Sequence, residues 1–553
     1  MFEEFLGQHS EERMKSELVL FAEPSPLTFA LQLRREQGPS LHDTSQCISN
    51  SGKLAVIQEG IHPDHRARHE IECLKAQRAF AHPGKKILDD MIDVFLQRFY
   101  PLYSIVDPTE LRKTHEEGKI PWILLQSICF IAVTFSHLDL IYKAGFSSRS
   151  QARKLYYDRA KALFDFNYEK SKITLVRVAI LLSFNGPQMD CYWNPCSWIE
   201  IGVTVAVSLG LHRNTANVKR HPNDLGLLKR LWWTLAVRDA HCSALLGRTF
   251  RINMTQCDVD MLTPGDFLDM HEEALPCPNR GCEAAFRYQI QVAKLSCILR
   301  KILYFRFGPI TETFSIDDIH QQLAAWKSNL PITLTAPLHG RFIPSVWAVQ
   351  LEILFHYHTM LLHMDQPCPS GLSPPPHGIA SSLNSTAIAE SSALSVSSSA
   401  IKLVTQTSIC AIPHEVFPGF FVAGITLYRQ AQKAGDFNLA KMVRANFDNC
   451  QMIINEAQNS WDPGKWGMKI FGFLLYATDK VDNVEEIQGH TREAGSKDDQ
   501  TGLDPAIPPQ LQELPPLEDF TWANIEDFNE NSIIDSMGEY MLLPNFFPPP
   551  FGN

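Results

Sequence analysis

Asp224 to Cys242 reads Asp-Leu-Gly-Leu-Leu-Lys-Arg-Leu-Trp-Trp-Thr-Leu-Ala-Val-Arg-Asp-Ala-His-Cys. Leu228, Leu231, Trp232, Leu235, Asp239 and Cys242 recur at offsets of three, four and seven, which places them on one stripe of an α-helix. Asp224 stands ahead of them as a start signal. A carboxylate on an apolar stripe is costly to bury unless it is paired. Arg238, Arg248 and Arg251 are the candidate partners of Asp239, as a buried ion pair fixing the helix-to-loop junction. A role for Asp239 in binding an effector is the alternative.

The same period runs outward from this stretch. Ser171 is a cap for a helix in which Ile173, Val176, Ile180, Leu181 and Phe184 share a face. Ser197 starts another, with Trp198, Ile201, Val205 and Leu209 inward and Gly210 near its end. Leu351, Leu354, His358 and Leu361 mark a fourth. Alternating β-branched patterns are scarce, so the fold class is all-α: a multi-helix domain of antiparallel helices. The helical pattern fills 85–368 and returns over 401–483, for example at Phe420, Ile425, Leu427 and Tyr428 after Pro418-Gly419. Residues 369–400 contain Pro374-Pro375-Pro376 and Ser397-Ser398-Ser399, a composition expected of a linker. Residues 1–84 give no assignable fold. Residues 484–553 are acidic, Pro-rich and expected to be a disordered tail.

The chain has 553 residues, 45% hydrophobic and 20% charged, ordinary for a protein with a sizeable core. Its start, Met1-Phe2-Glu3-Glu4-Phe5, is acidic and does not read as a signal peptide. The longest apolar stretch, Trp122 to Phe135, is interrupted by Gln126 and Ser127 and is too short to span a bilayer, so no membrane partner is expected. Thirteen scattered cysteines suit reduced thiols better than a disulfide framework. Net charge is −11, yet 501–553 alone hold nine acidic residues and no Lys or Arg. The body is therefore close to charge balance and lacks the basic footprint of a free-standing DNA-binding domain.

Several motifs carry possible chemistry. Asp89-Asp90-Met91-Ile92-Asp93 spells the DDxxD with which helical terpene synthases hold Mg²⁺, and Asn531, Asp535 and Glu539 imitate the second metal motif, far away in the acidic tail. The preferred reading of the first is a solvated N-terminal helix face. Cys191/Cys196 and Cys277/Cys282 are two Cys-x4-Cys pairs that could hold one Zn²⁺ if their loops met. Unliganded thiols are the expectation. His62, His65 and His69 are read as a solvated helix face. The run Arg66, Arg68, Lys75, Arg78, Lys85, Lys86 is diluted by Asp64, Glu70 and Glu72 and is read as solvated surface, with a phosphate-contacting arm as the minority reading. Gly-x-Gly, Gly-x-Ser-x-Gly and His-Glu-x-x-His do not occur. No catalytic, cofactor-binding or metal residue is assigned, no cofactor is expected, and the chain is not read as an enzyme.

Between Glu72 and Phe267 the order of motifs resembles the middle homology domain of the fungal Zn-cluster transcription factors. It is similar above all to the cutinase transcription factor 1 beta-like subgroup. The resemblance is carried by Phe99-Tyr100-Pro101-Leu102-Tyr103, Tyr157-Asp158-Arg159-Ala160, Ser208-Leu209-Gly210-Leu211-His212-Arg213, Arg230-Leu231-Trp232-Trp233-Thr234 with Arg238-Asp239, and Leu246-Gly247-Arg248 through Arg251-Ile252-Asn253. Leu361-Leu362-His363 before Pro367 is a later match. Thr249 departs from the usual Pro. The family's DNA-binding module needs two Cys-x2-Cys-x6-Cys repeats, and no two cysteines here are three apart. The resemblance implies a nuclear transcriptional regulator, pathway-specific, expected to reach promoter DNA weakly or through a partner, to contact a coactivator through its acidic tail, and to form a homo- or heterodimer. A metal-dependent helical enzyme and a partner-binding, dominant-negative relative are the alternatives.

Overall fold

The computed structural model describes residues 68–186, 191–214, 222–267, 279–308, 315–335, 345–364 and 382–475. Among them there is no strand, and no helix is long and apolar enough to cross a membrane. The helices, in order, are α1 Arg68–Ala76, α2 Lys85–Val94, α3 Pro108–Glu116, α4 Trp122–Phe135, α5 Leu138–Lys143, α6 Arg149–Asp165, α7 Lys172–Leu182, α8 Pro195–Ser208, α9 Pro222–Leu246 and α10 Asn279–Phe307. After these come α11 Ile316–Ser328, α12 Ile332–Thr335, α13 Val346–His363, α14 Ser382–Val404, α15 Phe417–Lys433, α16 Phe437–Ala457 and a last helix, α17, over 463–475.

Short polar side chains set the starts. Asp107 accepts from the backbone N–H of Thr109 and Glu110 at 2.8 and 3.0 Å, with Pro108 in the first turn. Ser171 caps α7 through Thr174, as its sequence indicates. At α8 the cap is Asn194, not Ser197, because Pro195 takes the first helical position. The inward face is correspondingly rotated: Trp198 and Leu209 are buried, but Ile201 and Val205 are only partly so, and Ile199, Gly202, Val203 and Ala206 complete the buried face. Gly202 allows a close approach there, since a Cβ would lie 2.8 Å from Leu235 Cδ2 on the crossing α9 and that side chain would have to shift. Gly210 ends α8 with φ +77°, and Leu211 N–H bonds to Ala206 O at 3.0 Å, a helix stop that glycine adopts at little cost.

α9 and α4 form the centre. Leu228, Leu231, Trp232, Leu235, Asp239 and Cys242 are all buried, so the stripe that opens the sequence argument is a core face. α4 is buried from Ile123 to Phe135. Its carbonyl end is closed by cations: Arg149 donates to the carbonyls of Val133, Thr134 and Ser136, and Arg98 to Phe135 O. Those carbonyls have no partner within the helix, and positive charge suits that end.

The expected linker over 369–400 is corrected in its second half. From Ser382 the chain is α14, packed against α13, α15 and α16. Ala389, Ala393, Val396, Ala400 and Leu403 form a buried stripe, with Ser392, Ser397 and Ser399 also buried. The serines are bonded, one within the helix and one to a neighbour: Ser399 Oγ donates to Ser395 O at 2.9 Å, and Ser397 Oγ to Asn446 O of α16 at 2.8 Å. A serine-rich composition reads as unfolded because serine competes for backbone bonds. Here the hydroxyls bond to carbonyls of the helix itself or of α16, and the small side chains let three neighbours pack against it. The expectations for 369–381, for 484–553 and for most of 1–84 lie outside the described residues.

Candidate functional site

The chemistry concentrates where two neighbouring residues of α9, Arg238 and Asp239, meet different parts of the chain. Asp239 Oδ2 lies 2.8 Å from Arg300 Nη2 of α10, and its two oxygens also accept from the backbone N–H of Arg251 and Ile252 at 2.9 and 3.1 Å. Arg300 further donates to Ala236 O and Ile252 O and lies over the Phe250 ring at 4.6 Å. The buried ion pair expected at Asp239 thus exists with a different partner. Arg238, Arg248 and Arg251 do not supply the guanidinium; Arg251 contributes its backbone, while its side chain reaches Glu200 at 3.3 Å. Helix geometry is the reason, since consecutive side chains diverge by a large angle and Arg238 cannot reach its neighbour's carboxylate.

Arg238 turns instead to Glu415, in the segment before α15, at 3.0 Å. It also donates to Ser183 Oγ and Ser183 O at 3.2 and 2.8 Å and lies over Phe184 at 4.0 Å. The hydroxyl of Tyr103 donates to the other Glu415 oxygen. Burial and the Glu415 charge push the Tyr103 phenol well above its ordinary range. His414 stacks on Phe135 at 5.4 Å, and burial with the nearby Arg238 and Arg153 keeps it neutral. A second contact, Arg153 with Asp462 at 2.8 Å, ties α6 to the turn before α17. Glu415, buried, and Asp462, partly buried, therefore fasten the C-terminal helices to the N-terminal ones.

His241 of α9 faces His358 of α13, ring centroids 5.8 Å apart. Burial pushes both imidazoles down to about 3, with Arg238 and Arg300 adding to the effect on His241. They are neutral core groups at neutral pH, and neither was singled out as chemistry by the sequence.

Other candidate motifs are placed as follows. Asp89, Asp90 and Asp93 sit inside α2, not in its first turn, which carries no acid. Asp89 pairs with His115 at 2.6 Å and Asp93 with Arg112 at 3.1 Å, both on α3. Asp89 and Asp93 are thus engaged in helix–helix pairing. Asn531, Asp535 and Glu539 lie outside the described residues. Cys196 is buried, its thiol pushed up to about 12 by burial, and Cys191 is half-buried. Cys277 lies outside the described residues, as do His62, His65 and Arg66, so those clusters are not tested. Arg68, Lys75, Arg78, Lys85 and Lys86 are exposed, in keeping with solvated surface. Among the described residues no group of three metal-capable side chains comes together.

The site is a buried ionic scaffold beside a narrow cleft lined by Tyr103, Trp233, Tyr288 and Glu415. Residues 92–328 match the fungal specific transcription factor domain. Cutinase transcription factor 1 alpha of Fusarium vanettenii is 26% identical over 421 residues, 73% of this chain and 45% of that protein. The acetamidase regulatory protein of Aspergillus fumigatus is 26% identical over 303 residues, 53% and 36% of the two chains. Cutinase transcription factor 1 beta of Fusarium vanettenii is 23% identical over 354 residues, 56% and 40%. The chain spans less than half the length of each of these relatives. No solved structure matches it. In an all-helical fold whose motifs Arg230-Leu231-Trp232-Trp233-Thr234 and Arg238-Asp239 lie in the buried α9, residues 92–328 are thus similar to the fungal specific transcription factor domain, and the chain is similar to fungal transcription factors.

Proposed function

We propose that the protein is a nuclear transcriptional regulator of a fungus, pathway-specific, in which the helical domain is a rigid interaction scaffold. The match of residues 92–328 to the fungal specific transcription factor domain carries this reading. The buried pairs Arg238–Glu415, Asp239–Arg300 and Arg153–Asp462 support it, because they fasten helices together. Asp89 and Asp93 of the DDxxD face His115 and Arg112, an arrangement for packing more than for holding Mg²⁺ against a diphosphate, so the reading is not that of an enzyme.

Contact with promoter DNA is weak or runs through a partner, which the exposed basic residues of 68–86 supplement by phosphate contact. The tail supplies the activating element. Between Leu514 and Phe547 it interleaves acids with Phe520, Trp522, Ile525 and Phe528, and like charges keep such aromatics available to a coactivator groove. A homodimer or heterodimer is part of this reading. The experiment is transcript profiling of a deletion strain against wild type. The reading expects a coherent set of genes of one pathway to lose expression and to recover on complementation. An unchanged transcriptome under inducing and non-inducing conditions would overturn it.

A further inference from the structure

His320 of α11 and His363 of α13 meet through their ring nitrogens. His320 Nδ1 lies 3.0 Å from His363 Nε2, and the ring planes stand at 79°. The two residues are 43 positions apart in the chain, so tertiary packing alone brings them together.

The surroundings hold His363 in one orientation. It is the last residue of α13, and Arg306 donates to the carbonyls of Leu362 and Met364 on either side of it. Its other ring nitrogen, Nδ1, faces Ser385 Oγ of α14 at 3.4 Å. A proton on Nδ1, directed at that hydroxyl, leaves Nε2 with its lone pair, to which His320 Nδ1 donates. Metal-binding histidines are commonly oriented in this way, by a partner on the far ring nitrogen. His363 is 6% exposed and His320 is half-buried, so the pair is fixed from the inside and open from the outside.

One proton joins the two nitrogens. Moving it from Nδ1 to Nε2 of His320, a change of tautomer with no change of charge, frees a second lone pair at the same place. Two metal–nitrogen bonds of about 2.0–2.1 Å that span 3.0 Å enclose an angle of roughly 95°. That is close to the right angle of a square-planar or octahedral ion and narrower than the tetrahedral angle, which suits Ni²⁺ or Cu²⁺ better than Zn²⁺. Mg²⁺ and Ca²⁺ take oxygen ligands and gain little from imidazole. Arg306 at this end of α13 opposes a cation, and Asp317, one turn before His320 on α11, favours one. Among the described residues no third His, Cys, Asp or Glu joins the pair, so water completes the coordination.

We propose that His320 and His363 form a two-histidine chelate for a divalent first-row transition ion of the Ni²⁺ or Cu²⁺ kind. The bound ion replaces one hydrogen bond by two metal–ligand bonds and ties α11 to α13. An ion that binds only the folded chain stabilises it by mass action. The site rests on the two imidazoles and does not depend on the transcriptional reading.

The test uses the untagged full chain, stripped of metal with a chelator. Ni²⁺ is the probe, because Cu²⁺ also oxidises free thiols, which this chain contains. Thermal unfolding and titration calorimetry follow the addition of Ni²⁺, with Mg²⁺ as the control. Ni²⁺ should bind saturably and raise Tm, and Mg²⁺ should do neither. His320→Gln and His363→Gln, which keep a hydrogen-bonding side chain but lose the chelate, should each weaken Ni²⁺ binding at least tenfold and remove the rise in Tm. Should His363→Gln not fold, His320→Gln, at the half-buried position, decides alone. No rise in Tm with Ni²⁺, an equal response to Mg²⁺, or a rise retained in His320→Gln would each overturn the proposal.

Discussion

Arg238 and Glu415 are 177 residues apart in the chain and 3.0 Å apart in the fold, both nearly inaccessible to solvent. A pair of this kind costs much of its attraction in desolvation, but breaking it leaves an uncompensated charge in the core. Glu415→Ala should therefore destabilise the protein by about 3–5 kcal/mol. The double variant Arg238→Met/Glu415→Leu should be less destabilised than Glu415→Ala. Urea unfolding of the two variants and wild type checks this. A double variant destabilised as much as Glu415→Ala, or more, would contradict it.

Asp239 and Arg300 make the second buried pair, with Trp232 two turns earlier on the same stripe. Trp232→Ala should cost about 3–5 kcal/mol through the cavity it leaves. Asp239→Ala should cost about as much, because Arg300 and the N–H groups of Arg251 and Ile252 lose their acceptor. Denaturant midpoints measure both. Variants that melt with wild type would remove α9 from the core.

Stability should fall on acidification. His241 and His358 have folded pKa values held down to about 3 by burial, below the ordinary 6.5. The unfolded chain therefore binds more protons than the folded one between those values, and stability declines as pH drops through that window. The slope contributed by each group approaches roughly 1.4 kcal/mol per pH unit between the two values. Replacing His241 with Phe should flatten the decline between pH 6.5 and 4.5. Equal slopes in wild type and variant would show that the acid sensitivity arises elsewhere.

α14 yields a contrast between two adjacent serines. Ser397 is fully buried against Asn446, whereas Ser398 is exposed. Ser397→Leu should destabilise by about 1–3 kcal/mol through overpacking, and Ser398→Leu should be near neutral. Thermal unfolding of the two variants separates a packed helix from a linker, in which both changes would be silent.

Much of the framework is legible in the sequence. The α9 stripe, the Ser171 cap and the Gly210 stop are local signals, set by helix period and by side chains that bond within a few residues. The α13 stripe at Leu351, Leu354, His358 and Leu361 is likewise buried. What period and proximity do not give is which distant residue meets which. Arg300 and Glu415 are partners supplied by tertiary packing, and nothing in their local sequence marks them. α14 was hidden for a different reason: its buried stripe is made of alanine and serine, whose weak apolar signal is outweighed by a composition typical of linkers. Its four-three spacing at Ala389, Ala393, Val396, Ala400 and Leu403 was the available clue.

The acidic tail gives a further contrast. Residues 500–553 fused to a heterologous DNA-binding domain should activate a reporter, and Phe520→Ala, Trp522→Ala and Phe528→Ala together should abolish activation while the acids remain. A silent fusion would favour a regulator that binds partners without activating.

The central claim, that this scaffold regulates transcription, is tested most directly by chromatin occupancy of the tagged protein at its native locus. The account predicts enrichment at a limited set of promoters whose transcripts fall on deletion. Uniform background over the genome, with the protein present in the nucleus at wild-type abundance, would contradict it.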